Sequence, residues 1–153
     1  MEEKLVEMEL REIHIVEDFA RTQIIVLAEK DGDRAFPIFI GLHEAMALDL
    51  AAKGEVPQRP FTHDLILNVV DGVGATLQRV LVVKLEKDTF YGALELQTSA
   101  GKVVRVDSRP SDSIVLATRR SVPIFVEEQV LREVSRNTDP PEPTDEESGD
   151  ETT

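Results

Sequence analysis

Ala35-Phe36-Pro37-Ile38-Phe39-Ile40-Gly41 decides the fold class of this chain. The apolar run reads as a strand. Pro37 lacks an amide donor, so it belongs at a sheet edge or at the start of the paired segment. Gly41 breaks the run, and residues 42–53, rich in Ala and Leu, read as a helix ended by Gly54. Upstream, Asp31-Gly32-Asp33 carries the chemistry of a primed hairpin turn. It follows a strand at about 22–30 (Ile24, Ile25, Val26, Leu27) and another at 4–16, where Leu5, Met8, Leu10, Ile13 and Ile15 give the near-alternation of a half-buried strand.

Downstream, Glu55 to Arg59 is a loop and about Thr62 to Val70 a second helix, closing near Gly72 and Gly74. Residues 75–86 form a strand turned at Lys87-Asp88, and 89–98 and 102–107 complete a meander. A third helix covers about 111–120, Val122 to Val126 is a last strand, and 127–135 a short terminal helix. Strands and helices thus alternate irregularly over residues 1–136, ahead of the acidic C-terminal stretch. Pro37-Ile38-Phe39-Ile40 recurs as Pro123-Ile124-Phe125-Val126. The repeat is open to two readings, an old duplication or a pattern that simply makes a good buried edge strand.

The 153 residues suit one domain with a real core, built from aliphatic residues because aromatics make up only 5%. Absence of cysteine excludes disulfides, thiolate metal sites and cysteine nucleophiles. No apolar run has the length of a membrane span, and Met1-Glu2-Glu3-Lys4 does not resemble a secretory signal, so the expected location is cytoplasmic, away from membranes. From Asn137 onward the chain carries seven acids (Asp139, Glu142, Asp145, Glu146, Glu147, Asp150, Glu151) and no base. The net charge of −13 is therefore split: residues 1–136 hold 17 bases against 23 of the 30 acids, a net of −6. Residues 137–153, rich in Pro and acids, are expected to be a disordered acidic tail. The acidic body counts against tight, non-specific binding of nucleic acid by phosphate neutralisation.

Two segments concentrate polar chemistry beside apolar helical sequence: Arg59-Pro60-Phe61-Thr62-His63-Asp64 and Arg109-Pro110-Ser111-Asp112-Ser113. Proline suits the first turn of a helix, where Ser, Thr or Asp can cap free amides. Each segment thus reads as a helix start presenting an arginine, a cap and an acid. His63 with Asp64 has the makings of a proton-transfer or metal-binding pair. The structural account makes Thr62 or Asp64 a cap and gives His63 an ordinary hydrogen bond, and on spacing alone that account leads. Asp107, Arg109, Ser111 and Asp112 suit a phosphate clamp with a cation-binding acid pair, or an Arg–Asp corner capped by Ser111. Glu44, in the first turn of its helix, is explained by the helix dipole and is otherwise a third carboxylate for a metal. His14 and His43 have no partner at useful spacing and are read as non-functional. No Walker loop, dinucleotide glycine pattern, His-Glu-x-x-His, nucleophile elbow or zinc-ligand spacing occurs.

In order, Phe36-Pro37-Ile38-Phe39-Ile40-Gly41 with Glu44-Ala45, Arg59-Pro60-x-Thr62-His63-Asp64-Leu65, Thr89-Phe90-Tyr91-Gly92-Ala93, Asp107-Ser108-Arg109-Pro110-Ser111-Asp112-Ser113-Ile114 and Pro123-Ile124-Phe125-Val126 resemble the bifunctional nuclease domain over about residues 5–134. The resemblance implies a single α+β domain over residues 1–136, with a strongly bent mixed, mainly antiparallel sheet packed against three to four helices, a homo-oligomer, and cleavage of RNA, DNA or both. It implies nucleic acid as partner, with divalent-metal-assisted phosphodiester hydrolysis as the chemistry. Glu44, Asp64, Asp107 and Asp112 would then hold Mg²⁺ or Mn²⁺. His63, Asp64 and Asp112 would be catalytic, and Arg59, Arg109, Thr62 and Ser111 would bind substrate. The competing class is a non-enzymatic oligomeric binding or regulatory module whose Arg-Pro helix starts are structural corners. A third reading places a small anionic ligand at the paired helix N-termini. Geometry separates these readings, because a site requires these side chains to meet.

Overall fold

In the computed structural model, residues 4–15 and 23–138 are described. The expected strand at 35–40 is β3 (Ala35–Ile40), and it alternates residue by residue: Phe36, Ile38 and Ile40 are buried while Ala35, Pro37 and Phe39 face outward. It pairs antiparallel with β2 (Gln23–Glu29), which pairs antiparallel with β1 (Leu5–His14). Among the described residues β3 has no second neighbour, so the missing amide of Pro37 costs the sheet nothing on its open side. The expected primed turn at Asp31-Gly32-Asp33 does not form. Such turns require positive φ, and no residue from Lys30 to Arg34 has it. The connection is instead a longer loop closed by the Glu29 amide donating to the Arg34 carbonyl at 2.8 Å. At Lys87-Asp88 the tight turn does form, with φ of 50° and 62° between β4 (Thr76–Glu86) and β5 (Thr89–Gln97).

Gly41 launches α1 (Leu42–Ala52), and α2 (Thr62–Gly72) follows the loop. After the β4–β5–β6 meander, with β6 at Val103–Ser108, the chain enters α3 (Pro110–Arg120). This helix is the crossover that brings β7 (Ile124–Glu127) parallel to β4, with Val80 opposite Ile124 and Val82 opposite Val126. α4 (Glu128–Thr138) completes the described chain. The open seven-stranded sheet has the order β3-β2-β1-β7-β4-β5-β6, antiparallel except for the β7–β4 pair, and the domain is α+β. The two Pro-Ile-Phe segments therefore serve different positions. β3 is an edge, whereas β7 lies in the sheet interior with Pro123 just ahead of it, its carbonyl accepting from the Val80 amide. The edge-strand reading holds for the first segment and fails for the second.

α3 is the helix around which the core is built. Ile114, Val115, Leu116 and Ala117 are four consecutive residues at 0–2% exposure, so the helix is enclosed on all sides. It packs against α1, α2, β4 and β5. Its entry is fixed by Gly92 on β5. A β-carbon there would lie 3.0 Å from the Ser108 carbonyl oxygen and 3.1 Å from both the Pro110 nitrogen and Ser113 Oγ. Only glycine lets the strand approach the β6–α3 corner this closely. That corner sets the position of Arg109 and Asp112. No described helix is long and apolar enough to cross a membrane. The expected disordered tail, apart from the end of α4, lies outside the described residues.

Candidate active site

Three helix N-termini meet at one cleft of about 350 Å³. α1 supplies His43 and Glu44 from its first turn, α2 supplies Phe61, Thr62 and His63, and α3 supplies Arg109 and Asp112. Met46, Ala47 and Leu50 of α1 provide the apolar wall. None of the three helices has a side-chain N-cap: their cap positions are Gly41, Phe61 and Arg109. The expected caps at Thr62 and Ser111 therefore do not form. Each of these residues lies just inside its helix, and Ser111 is buried at 8% exposure. Ser111 does not line the cleft, whereas Thr62 does.

Within the cleft the polar side chains form one connected row. His63 Nε2 lies 2.9 Å from Asp112 Oδ1. Arg109 donates to both Asp112 oxygens, through Nε to Oδ2 at 2.9 Å and through a terminal nitrogen to Oδ1 at 3.1 Å. The same terminal nitrogen reaches Glu44 Oε1 at 3.1 Å, tying α1 to α3. His63, Asp112 and Glu44 are mostly buried, while the Arg109 side chain is 66% exposed and so open to an incoming anion. The hydrogen bond from His63 holds the Asp112 carboxyl below its ordinary range, aided by Arg109 and opposed by burial. An ionised Asp112 accepts, which places the imidazole proton on Nε2 and leaves Nδ1 as the basic nitrogen.

The depressed Asp112 value has a testable consequence. A carboxyl lowered on folding contributes stability above its ordinary value of 3.8 and loses that contribution as pH falls through the lowered value. The stability gap between wild type and Asp112→Asn is expected to narrow as pH is taken from neutral towards strongly acidic, read from urea midpoints.

Other expected site residues lie elsewhere. Asp64 accepts the Phe61 amide at 3.0 Å and pairs with Arg119 Nε at 3.4 Å. Its carboxylate holds the start of α2, the capping role the sequence leaves open for it, and it does not line the cleft. Asp107 is exposed on β6 opposite Ala93, outside the cleft, and Arg59 is exposed in the α1–α2 loop and does not line it. Glu44 and Asp112 are the only two of the four expected metal carboxylates that approach each other, and Arg109 already bridges them. Among the described residues no three His, Asp or Glu side chains gather closely enough to hold a cation. The described residues of this cleft do not fit a Mg²⁺ or Mn²⁺ site.

Two cleft-related residues escaped the sequence reading. His43 lines the cleft. Arg119 positions it from outside, donating to the Glu55 carbonyl at 2.6 Å as well as pairing with Asp64, and so anchors the loop and the α2 start to α3. Neighbouring Arg120 pairs with both oxygens of Asp71, at 3.0 and 2.7 Å, near the far end of α2.

Residues 25–139 match the bifunctional nuclease domain, a range that runs from within β2 through α4 and includes every cleft residue. The chain belongs to the bifunctional nuclease domain family. It is 42% identical over 116 residues to an uncharacterized protein of Mycobacterium tuberculosis, covering 76% of this chain and 68% of that protein. It is 32% identical over 112 residues to Bifunctional nuclease 1 of Arabidopsis thaliana and 27% identical over 116 residues to Bifunctional nuclease 1 of Oryza sativa subsp. japonica. These matches cover 71% and 74% of this chain but only 34% and 35% of the plant proteins. In this bifunctional nuclease domain, then, the Arg-Pro segments are the starts of two helices that meet, and α1 joins them at the same cleft.

Proposed function

We propose that the cleft hydrolyses phosphodiester bonds in RNA or DNA, with His63 as general base, Asp112 as the group that orients it, and Arg109 as the phosphate contact. The observation that carries this reading is the convergence of three helix N-termini, none capped by its own N-cap side chain, on one exposed arginine and one carboxylate-bound histidine. Free amides and helix dipoles at such termini favour an anion. Arg109 offers a planar fork suited to phosphate oxygens, and binding phosphate would loosen its hold on Glu44 and Asp112. Nδ1 of His63 would accept the proton of the attacking hydroxyl, while Asp112 stabilises the imidazolium that results. Kinship to proteins named bifunctional nucleases supports the reaction class.

The chemistry is assigned to side chains because the carboxylates do not gather around a cation. Cleavage of a labelled oligonucleotide by purified protein is therefore expected to persist in excess EDTA. Loss of activity on chelation, restored by Mg²⁺ or Mn²⁺, would show instead that a metal site is completed elsewhere, such as between subunits. The non-enzymatic alternative draws support from Asp64 and Arg119, whose contacts are with each other and with backbone groups, and from the net negative body. No cleavage by wild type under either condition would favour that alternative.

A further inference from the structure

We propose that His43 is the proton donor to the leaving oxygen in this cleft, the counterpart of His63; the inference rests on the phosphodiester reading above. The chain has three histidines, and two of them line this one cleft. The third, His14, lies on β1 and bonds to Glu12 at 2.8 Å. His43 is the second residue of α1, exposed, and adjacent to Glu44 in the connected row. His63 is tied to Asp112, whereas His43 has no hydrogen-bond or ion-pair partner among the described residues. Its ring is therefore not committed to holding the fold.

The chemistry requires two proton functions. An attacking water or ribose 2′-hydroxyl must lose a proton, and an alkoxide is a poor leaving group unless it gains one. His63, fixed on Asp112, suits the first task; His43, unpartnered on the wall of the same cleft, suits the second in its protonated form. The attacking oxygen gives its proton to His63 Nδ1 and forms the new P–O bond. The bond to the leaving oxygen breaks with its electron pair on that oxygen, which takes the proton of His43. One P–O bond is made and one broken; His63 ends protonated and His43 neutral, and exchange with solvent restores both. The charged and titratable groups around His43 in the cleft are Glu44, Arg109, Asp112 and His63.

The test compares two substrates for wild type, His43→Gln and His63→Gln: a labelled oligonucleotide, and bis(p-nitrophenyl) phosphate, whose phenolate departs without a proton. His43→Gln is expected to lower kcat on the oligonucleotide by about 10²- to 10⁴-fold with KM changed by less than about threefold, and to leave the nitrophenyl ester within about threefold of wild type. His63→Gln is expected to lose activity on both substrates, because both still need the base. His43 is exposed, so the thermal midpoint of His43→Gln should match wild type, which removes misfolding as an explanation. Oligonucleotide cleavage unchanged in His43→Gln, or an equal loss on both substrates, would overturn the assignment while leaving the phosphodiester reading intact. A wild type inactive on both would overturn that reading, and this inference with it.

Discussion

His63→Ala is expected to reduce kcat for oligonucleotide cleavage by about 10²- to 10⁴-fold, the usual contribution of a positioned general base. The variant should fold. His63 lies in the first turn of α2 and lines the cleft, and the core residues of that helix, Leu67 and Val70, lie at least a turn away. Removing the imidazole leaves Asp112 bound by both Arg109 contacts, so the buried carboxylate keeps its charge partner. The loss should thus fall on kcat rather than on KM, because phosphate binding stays with Arg109 and the helix termini. A comparable loss of stability, or a change confined to KM, would show that His63 serves the fold or the binding step instead.

The largest expected effect on stability comes from α3. Leu116→Ala removes a side chain at 1% exposure from a helix enclosed by α1, α2, β4 and β5. Such a site has few routes to collapse, so the change is expected to cost about 2–5 kcal/mol, measured as a lowered urea midpoint at unchanged slope. A cost under about 1 kcal/mol would mean that the surrounding elements close over the cavity, and that α3 is not the rigid centre described above. The point bears on function. Arg109 and Asp112 are set by the start of this helix, and Arg119 and Arg120 at its end hold both ends of α2.

Much of the fold was legible in local sequence, for a physical reason in each case. Phe36, Ile38 and Ile40 face the core because a strand repeats every two residues, and Gly41 stops that strand where a helix must begin. The Lys87-Asp88 turn was legible, while the Asp-Gly turn was misread, since the strands around it pair across a longer loop that needs no positive φ. Helix caps were misread for a related reason. Thr62 and Ser111 after Arg-Pro look like caps but lie just inside their helices, whereas Asp64 does hold the start of α2 by accepting the Phe61 amide.

The site itself was legible only as a set of residue types. Sequence spacing cannot say that Asp112, 49 residues after His63, becomes its partner, nor that Asp64, beside His63, turns away to the Phe61 amide and Arg119. Adjacent residues on a helix point in different directions, so a His-Asp doublet is weak evidence for a His–Asp pair. His43 was dismissed because nothing near it in sequence suggested a partner. Its place in the cleft arises from the packing of α1 on α3, a long-range contact. The one signal that pointed towards the meeting was the doubled Arg-Pro helix start, and only one of the two arginines, Arg109, reached the site.

The most direct test is a double-mutant cycle on oligonucleotide cleavage with His63→Ala, Asp112→Asn and the two combined. If the pair acts as one unit, the combined variant should be no slower than His63→Ala alone, because orienting an absent imidazole has no value. Losses that multiply would show that the two residues act separately and would contradict the site described here.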